Sequence, residues 1–377
     1  MAKVRKRAWT NTQGKQCHAF IVDYVDNRGE RQRKQFLRYK EADKFRIKIE
    51  GQMADGTYRP DADRFTLKEV CEAYLEHCEG RMRRNERMAR HTYSVYRGHV
   101  RKHLLNAGYG LTKTKLSQLT AKRVGDFRDG MRDAGVSVVT ARKILTTLHG
   151  ILEYAVSQDL VAVNAARGVK VIGGRDEGSK KVRPPSKEDM QTILGVAPEP
   201  IRQKIVFAAS TGLRAGEQWA LRWEDVDFKG AELKVRRRVD VYGEEGPPKT
   251  AAGIRNIPLS EHMIAMLKRM KLASEYSKDD DYIFPDKNGG FTRHDNFIKR
   301  RFNKLFSDNG NDAERFNWHA LRHFAVSTWI EADLAPKTIQ TFAGHSSLQV
   351  TMDRYGHMFK SDDHKMAMDS IAKGLFS

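Results

Sequence analysis

The sequence predicts a multidomain chain, mainly α with small β sections, on three observations. Its 377 residues exceed what one compact domain usually holds, so two or three units are expected. Strand-like alternation near the amino terminus gives way to a long run of three- and four-residue apolar spacing. A Gly-, Pro- and charge-rich interval at 173–185, GGRDEGSKKVRPP, then separates that run from a second half in which helices alternate with a short sheet section.

Residues 18–25, HAFIVDYV, alternate in part between apolar and polar; Asn27-Arg28-Gly29 supplies a turn, and residues 33–39 return as a second strand. A helical pattern covers about 41–53, and a loop follows through Asp55, Gly56 and Pro60. Residues 1–60 are therefore expected to form a small sheet with one helix. Such a unit can lay strands into a DNA major groove, with Arg31, Arg33 and Lys34 as candidate contacts. Helices are expected over 66–79, 89–105, 120–134 and 137–158, and a helical bundle over 65–172. In the last helix Leu145, Leu148, Ile151 and Leu152 are spaced for a buried face. Arg81, Arg83, Arg84, Arg87 and Arg90 lie between the first two helices, as phosphate clamps or as a solvated charge run.

The net charge of +20 points to a polyanionic partner. Residues 1–64 carry 16 Lys/Arg against 9 Asp/Glu, and residues 65–186 carry 23 against 12; the remainder is nearly balanced, at 29 against 27. General grip is thus placed in the first half, and a few chosen cations in the second. No apolar run approaches the roughly eighteen residues of a membrane span. The start, MAKVRKRAWTN, lacks the apolar core of a secretory signal, so a soluble cytoplasmic protein is expected. Cys17, Cys71 and Cys78 form no CxxC set, which leaves zinc sites and disulfide frameworks without support.

The second half, 186–377, opens with Ser186 ahead of Glu188 and Asp189, a helix start. An apolar helix over 201–209 stops at Thr211-Gly212, and Arg214 follows, with Glu217 three residues on and able to hold its guanidinium. Residues 232–241 and 254–259 read as strands around a GEEGPP turn, with Lys249 on the returning arm. Residues 318–330, WHALRHFAVSTWI, read as a helix with Ala320, Leu321, Phe324, Ala325 and Thr328 buried and with His319 and Arg322 sharing another face. Gly344-His345 is expected to open a further helix, and Tyr355 comes ten residues after that histidine. Met368, Ile371 and Leu375 are spaced for a short apolar-faced tail helix.

Alone, each of these features is commonplace. In order, TGLRAGE, KT before an R-x-I-P-L strand, HALRH, AGHSS and DRYGH resemble the catalytic signature of the tyrosine recombinase (phage integrase) family over roughly residues 187–360. Phe342-Ala343 replaces a commoner Leu-Gly pair, which implies a packing change only. The resemblance implies a mixed α/β, mostly helical catalytic domain, a core-type DNA-binding bundle and an arm-type DNA-binding unit. It implies Tyr355 as nucleophile, Arg214, Lys249, His319, Arg322 and His345 as the phosphate-activating set, Glu217 in support, and no metal or other cofactor. The partners it implies are double-stranded attachment sites, a homo-tetramer on DNA, a host DNA-bending protein and an excision factor. The tail helix would dock on a neighbouring protomer or on its own domain. A type IB topoisomerase and a catalytically silent DNA-binding regulator are the alternatives.

The chemistry explains the residue types. A phosphodiester is anionic, so attack by a phenol oxygen requires cations on the non-bridging oxygens, which Arg214 and Arg322 can supply. A phenol of ordinary pKa near 10 must also lose its proton, with His319 as a possible acceptor. By resemblance, Lys249 protonates the leaving 5′ oxygen and His345 hydrogen-bonds the scissile phosphate.

Overall fold

The computed structural model describes residues 2–174, 177, 183–307, 315–359 and 364–376. Much of the expected linker, 173–185, lies outside the described residues. The chain divides into two compact units, Met1–Lys180 and Lys181–Ser377.

The first unit begins with an antiparallel sheet of β1 (Lys3–Thr10), β2 (Gln16–Val25) and β3 (Arg31–Phe36), in that order. In register, Val4 lies opposite Val22 and Val22 opposite Lys34, while Lys6, Phe20 and Phe36 form the neighbouring row. Because side chains alternate across a strand, Val4, Phe20, Val22, Tyr24 and Phe36 share one face. Helix α1 (Tyr39–Ala54) covers that face with Ala42, Phe45 and Ile49. The opposite face presents Lys3, Arg5, Arg7, Arg31 and Arg33, all exposed. Sequence patterning misses β1 because KVRKRAWT carries cations on both faces, which hides the two-residue period.

Four helices follow: α2 (Leu67–Arg83), α3 (Arg90–His99), α4 (Ala121–Asp133) and α5 (Val138–Ser157). Thr66 and Glu69 form a capping box at the start of α2, and Thr120 and Ser137 cap α4 and α5. Each such cap contributes about 1 kcal/mol by satisfying an amide left open at a helix start. Leu67, Val70, Leu104, Phe127, Met131 and Ile144 fill the bundle core together with Leu145, Leu148, Ile151 and Leu152, the buried face the spacing predicts.

The second unit opens with α6 (Lys187–Val196) behind a Ser186–Asp189 capping box, then α7 (Glu199–Thr211) and the short α8 (Ala215–Trp219). The next strands are β4 (Val226–Asp227), β5 (Glu232–Val235), β6 (Arg238–Val239), β7 (Glu245–Gly246) and β8 (Arg255–Pro258). β4, β5 and β8 form one sheet in that order, and β6 pairs with β7. The strand expected over 232–241 is therefore two strands belonging to different sheets. After α9 (Glu261–Ala273) come α10 (His294–Phe297), α11 (Lys304–Ser307), α12 (His319–Glu331), α13 (Pro336–Ala343), α14 (Leu348–Tyr355) and α15 (His364–Phe376). Phe207, Trp219, Trp223, Phe284, Phe302 and Trp318 dominate the core.

Gly344-His345 does not open a helix, as the sequence had suggested. Gly344 closes α13 with a φ of +63°, and α14 begins behind the Ser347 cap. Met368, Ile371 and Leu375 on α15 are exposed. No helix among the described residues is long and apolar enough to cross a membrane.

Candidate active site

Helix α7 ends at Gly212, whose φ of +60° favours glycine and where a Cβ would stand 2.7 Å from Trp329. That stop places Arg214 at the N-cap of α8. Arg214 Nη1 donates to Glu217 Oε1 at 2.7 Å, and its backbone amide donates to Oε2 at 3.1 Å. Glu217 is 2% exposed, and its Oε2 also accepts from Arg255 Nη2 at 2.9 Å. Burial alone would favour a protonated Glu217, but the adjoining Arg255 and Arg214 outweigh it and hold the carboxyl below its usual range.

The centre of the arrangement is the end of α13. A helix leaves its last carbonyls without intrahelical partners, and they carry partial negative charge. Three arginines from separate segments use three consecutive ones. Arg255 Nε donates to Phe342 O at 2.7 Å, Arg322 Nη2 to Ala343 O at 2.5 Å, and Arg214 Nη2 to Gly344 O at 2.9 Å. Arg322 Nη1 reaches the corresponding end of α7, donating to Gly212 O at 2.7 Å. Arg322 is only 3% exposed. Burial and the neighbouring Arg214 charge pull its guanidinium down to about 9, so it stays cationic at neutral pH. The sequence reading set Arg322 with His319 on a face apart from the buried stripe. The structure buries Arg322 and leaves His319 exposed, because two helix ends supply the carbonyl partners that make a buried guanidinium tolerable.

Tyr355, the last residue of α14, is fully buried among Val326, Ile330, Ile339 and Ala343. Its Oη lies 2.5 Å from His323 Nδ1. The His345 ring stacks beside it, with centroids 6.2 Å apart and planes 17° apart, and His345 Nδ1 lies 2.9 Å from Thr351 Oγ1. Burial raises the Tyr355 phenol, and the Arg322 and Arg354 charges oppose that shift. Burial and then Arg322, Arg214 and Arg354 push His345 down to about 3, so its imidazole is neutral. His319 meets His323 edge to face at 4.7 Å. The surroundings of its ring and the charges of Arg322, Arg354 and Arg214 disfavour protonation, a shift that solvent moderates because His319 itself is exposed.

The structure thus gathers Arg214, Glu217, Arg322, His345 and Tyr355, with His319 at the rim. Lys249 is exposed between β7 and β8 and makes no hydrogen bond or ion pair among the described residues. Its loop nevertheless runs to the same helix end, since the carbonyl of Ala252 lies 3.0 Å from where a Cβ on Gly344 would stand. Arg255 and His323 are the two residues sequence reasoning missed. Arg255 carried a signal, because it sits two residues before the core residue Ile257 in a strand and so shares its buried face.

In the first unit, Arg31 donates to Asp23 at 2.8 and 2.6 Å, and Arg33 lies 3.6 Å from the same carboxylate. Lys34 stands on the opposite face from both, paired with Asp63 at 2.7 Å and over the Phe45 ring, because neighbouring residues of a strand point to opposite sides. Arg81 and Arg83 close α2, and the turn after it holds Arg84 and Arg87, leading to Arg90 at the start of α3. Glu86 ties this turn, accepting from Arg84 at its carboxylate and from Arg81 at its carbonyl.

Residues 186–362 match the model of the phage integrase family. The chain is 27% identical over 295 residues to a tyrosine recombinase XerC-like protein of Caldanaerobacter subterraneus, covering 71% of this chain and 74% of that one. It is 28% identical over 269 residues to the ICEBs1 integrase of Bacillus subtilis, covering 68% and 71%. Among solved structures it is similar to the Tn1549 transposon integrase in complex with transposon right end DNA, with a TM-score of 0.66, 20% identity, and coverage of 80% and 99%. A lambda integrase tetramer bound to a Holliday junction gives a TM-score of 0.59, 17% identity, and coverage of 90% and 95%. At these identities the two structures establish the fold.

Proposed function

Because the chain belongs to the tyrosine recombinase (phage integrase) family, we propose that it integrates and excises a phage or other mobile element by cutting and rejoining DNA through Tyr355. The observation that carries this reading is the convergence of Arg214 and Arg322, through carbonyls at the end of α13, beside the buried phenol of Tyr355. In the reaction Tyr355 Oη attacks the scissile phosphorus, and the guanidinium groups neutralise the charge that grows on the non-bridging oxygens. Lys249 protonates the departing 5′ oxygen, and His319 and His345 hydrogen-bond the phosphate. The 3′-phosphotyrosyl bond conserves the energy of the broken linkage, so a 5′ hydroxyl of another strand reverses the step, and neither metal nor ATP is required. Glu217 and Arg255 hold the arginines in place without touching DNA.

In this reading residues 1–60 are the arm-type DNA-binding domain, 65–172 the core-type domain, 173–185 the linker and 186–377 the catalytic domain with its tail helix. Arg31 and Arg33, with Lys3, Arg5 and Arg7, form the sheet face that meets DNA; Arg81, Arg83, Arg84, Arg87 and Arg90 meet phosphates elsewhere. The partners are double-stranded attachment sites, three further copies of the chain, a DNA-bending host protein and an excision factor. The place of action is the nucleoid of a bacterial cytoplasm.

The test is to trap the protein on nicked duplexes bearing the element's joined ends, then map the modified residue and the cleaved phosphate together. A covalent adduct at Tyr355 is expected. Relaxation of a supercoiled plasmid that bears no such site, without strand exchange, points instead to a topoisomerase, and DNA binding without any adduct points to a regulator.

A further inference from the structure

We propose that His323 is the group that takes the proton from Tyr355 when the phenol attacks. The proposal rests on the recombinase reading above and names a residue which that reading leaves without a role. Its basis is geometric. Tyr355 Oη is 2.5 Å from His323 Nδ1, the only hydrogen bond of the phenol among the described residues. His319, the acceptor suggested by the sequence, is exposed and meets the His323 ring rather than the phenol. The two histidines are four residues apart on α12, so they occupy one helix face with His323 nearer the interior.

The state of His323 suits the role. Burial, with the charges of His319 and Arg322 on its own helix and Arg354 on α14, holds the imidazole down to about 4. It is therefore unprotonated at neutral pH and has a lone pair to offer. In the step, the Oη–H bond breaks as the Oη–P bond forms, and the proton passes to Nδ1. The P–O5′ pair leaves with O5′, which takes its proton separately, from the Lys249 ammonium. On rejoining, Nδ1 returns its proton to Oη. The transfer uses a hydrogen bond that the free protein already holds, so no new contact has to form for the phenol to be activated.

The test uses the full chain and a nicked duplex carrying a sequence that the protein itself selects from a randomised pool. Adduct formation is followed in single turnover for the parent, His323→Ala and His323→Gln. Each is made with Tyr355 and again with a fluorinated, more acidic tyrosine at that position. Loss of a positioned base slows the step by about 10²-fold or more. The expected result is a loss of that order, shrunk by the fluorinated tyrosine, which needs less help to ionise. A His323 variant as fast as the parent, or a deficit that fluorination leaves unchanged, overturns the proposal. The Gln variant, with gel-shift and melting measurements, guards against a variant that simply unfolds. A parent that forms no adduct at all defeats the recombinase reading instead. The hydrogen bond is then judged directly by 15N NMR of the histidine-labelled chain: Nδ1 of His323 must be unprotonated and must shift in Tyr355→Phe, and a protonated Nδ1 overturns the proposal.

Discussion

Arginine is held in opposite ways in the two units. On the sheet of the first, Arg31 and Arg33 are exposed and lean on Asp23, a carboxylate at the surface. Around the end of α13 in the second, Arg322 and Arg255 are 3% and 5% exposed and bonded chiefly to main-chain carbonyls. An exposed arginine keeps its water and its freedom, which suits a general hold on a charged polymer. An enclosed one has lost both before any substrate arrives, so its donors need little rearrangement when charge develops, and that is the property a transition state rewards.

If this division is right, damage should fall in a definite order. Tyr355→Phe should abolish covalent attachment while leaving DNA retention in a gel shift unchanged; an adduct that persists removes Tyr355 from the role. Arg322→Lys keeps the charge but not the planar fork that spans Gly212 O and Ala343 O, and cleavage should fall by about 10²–10³, or roughly 3–4 kcal/mol. Normal recombination by that variant would contradict the assignment. Glu217→Gln leaves the buried Arg255 guanidinium without its counter-charge and should destabilise the second unit by about 3 kcal/mol in urea denaturation. Asp23→Asn, at the exposed pair, should leave the denaturation midpoint where it was.

Acid should expose the same asymmetry. His345 is held down to about 3, below its ordinary 6.5, so the unfolded chain takes up that proton first. Stability of the second unit therefore falls as pH drops below about 6.5, by about 1.4 kcal/mol per pH unit for this residue. Glu217, whose carboxyl is depressed, adds a further loss as pH falls from its ordinary 4.5 through the lower folded value. Denaturation of the parent and of His345→Asn at pH 7 and pH 5 checks the sign, since the variant should show the shallower slope. The smallest effect belongs to the sheet: Arg31→Ala or Arg33→Ala should lower the salt dependence of DNA binding by about one ion each and leave the cleavage rate of bound complex unaltered.

Most of this order could be read before the structure. The helix start at Ser186, the helix ranges beginning at 66, 120 and 137 and the stripe from Leu145 to Leu152 depend on local spacing, and local spacing is what a sequence displays. The motif residues Arg214, Glu217, His345 and Tyr355 were visible by resemblance, but their shared anchor was not. No periodicity announces that the carbonyls of Phe342, Ala343 and Gly344 receive three arginines, because every residue has a carbonyl and only the path of the chain selects these. Arg322 was misjudged for a related reason: a charged side chain is assigned outward unless its partners are seen. β1 was lost because cations on both faces erase the alternation, whereas Lys34 was grouped with Arg31 and Arg33 by charge alone, although the alternation within one strand already turns it to the other face.

The position of Tyr355 has one more consequence. With its hydroxyl turned inward and no part of its surface in contact with water, the idle protein cannot scar a duplex it merely brushes against. In the proposed reaction a phosphate must be brought to that hydroxyl while His323 still holds it, so breaking a strand waits on access to the phenol and not on its activation.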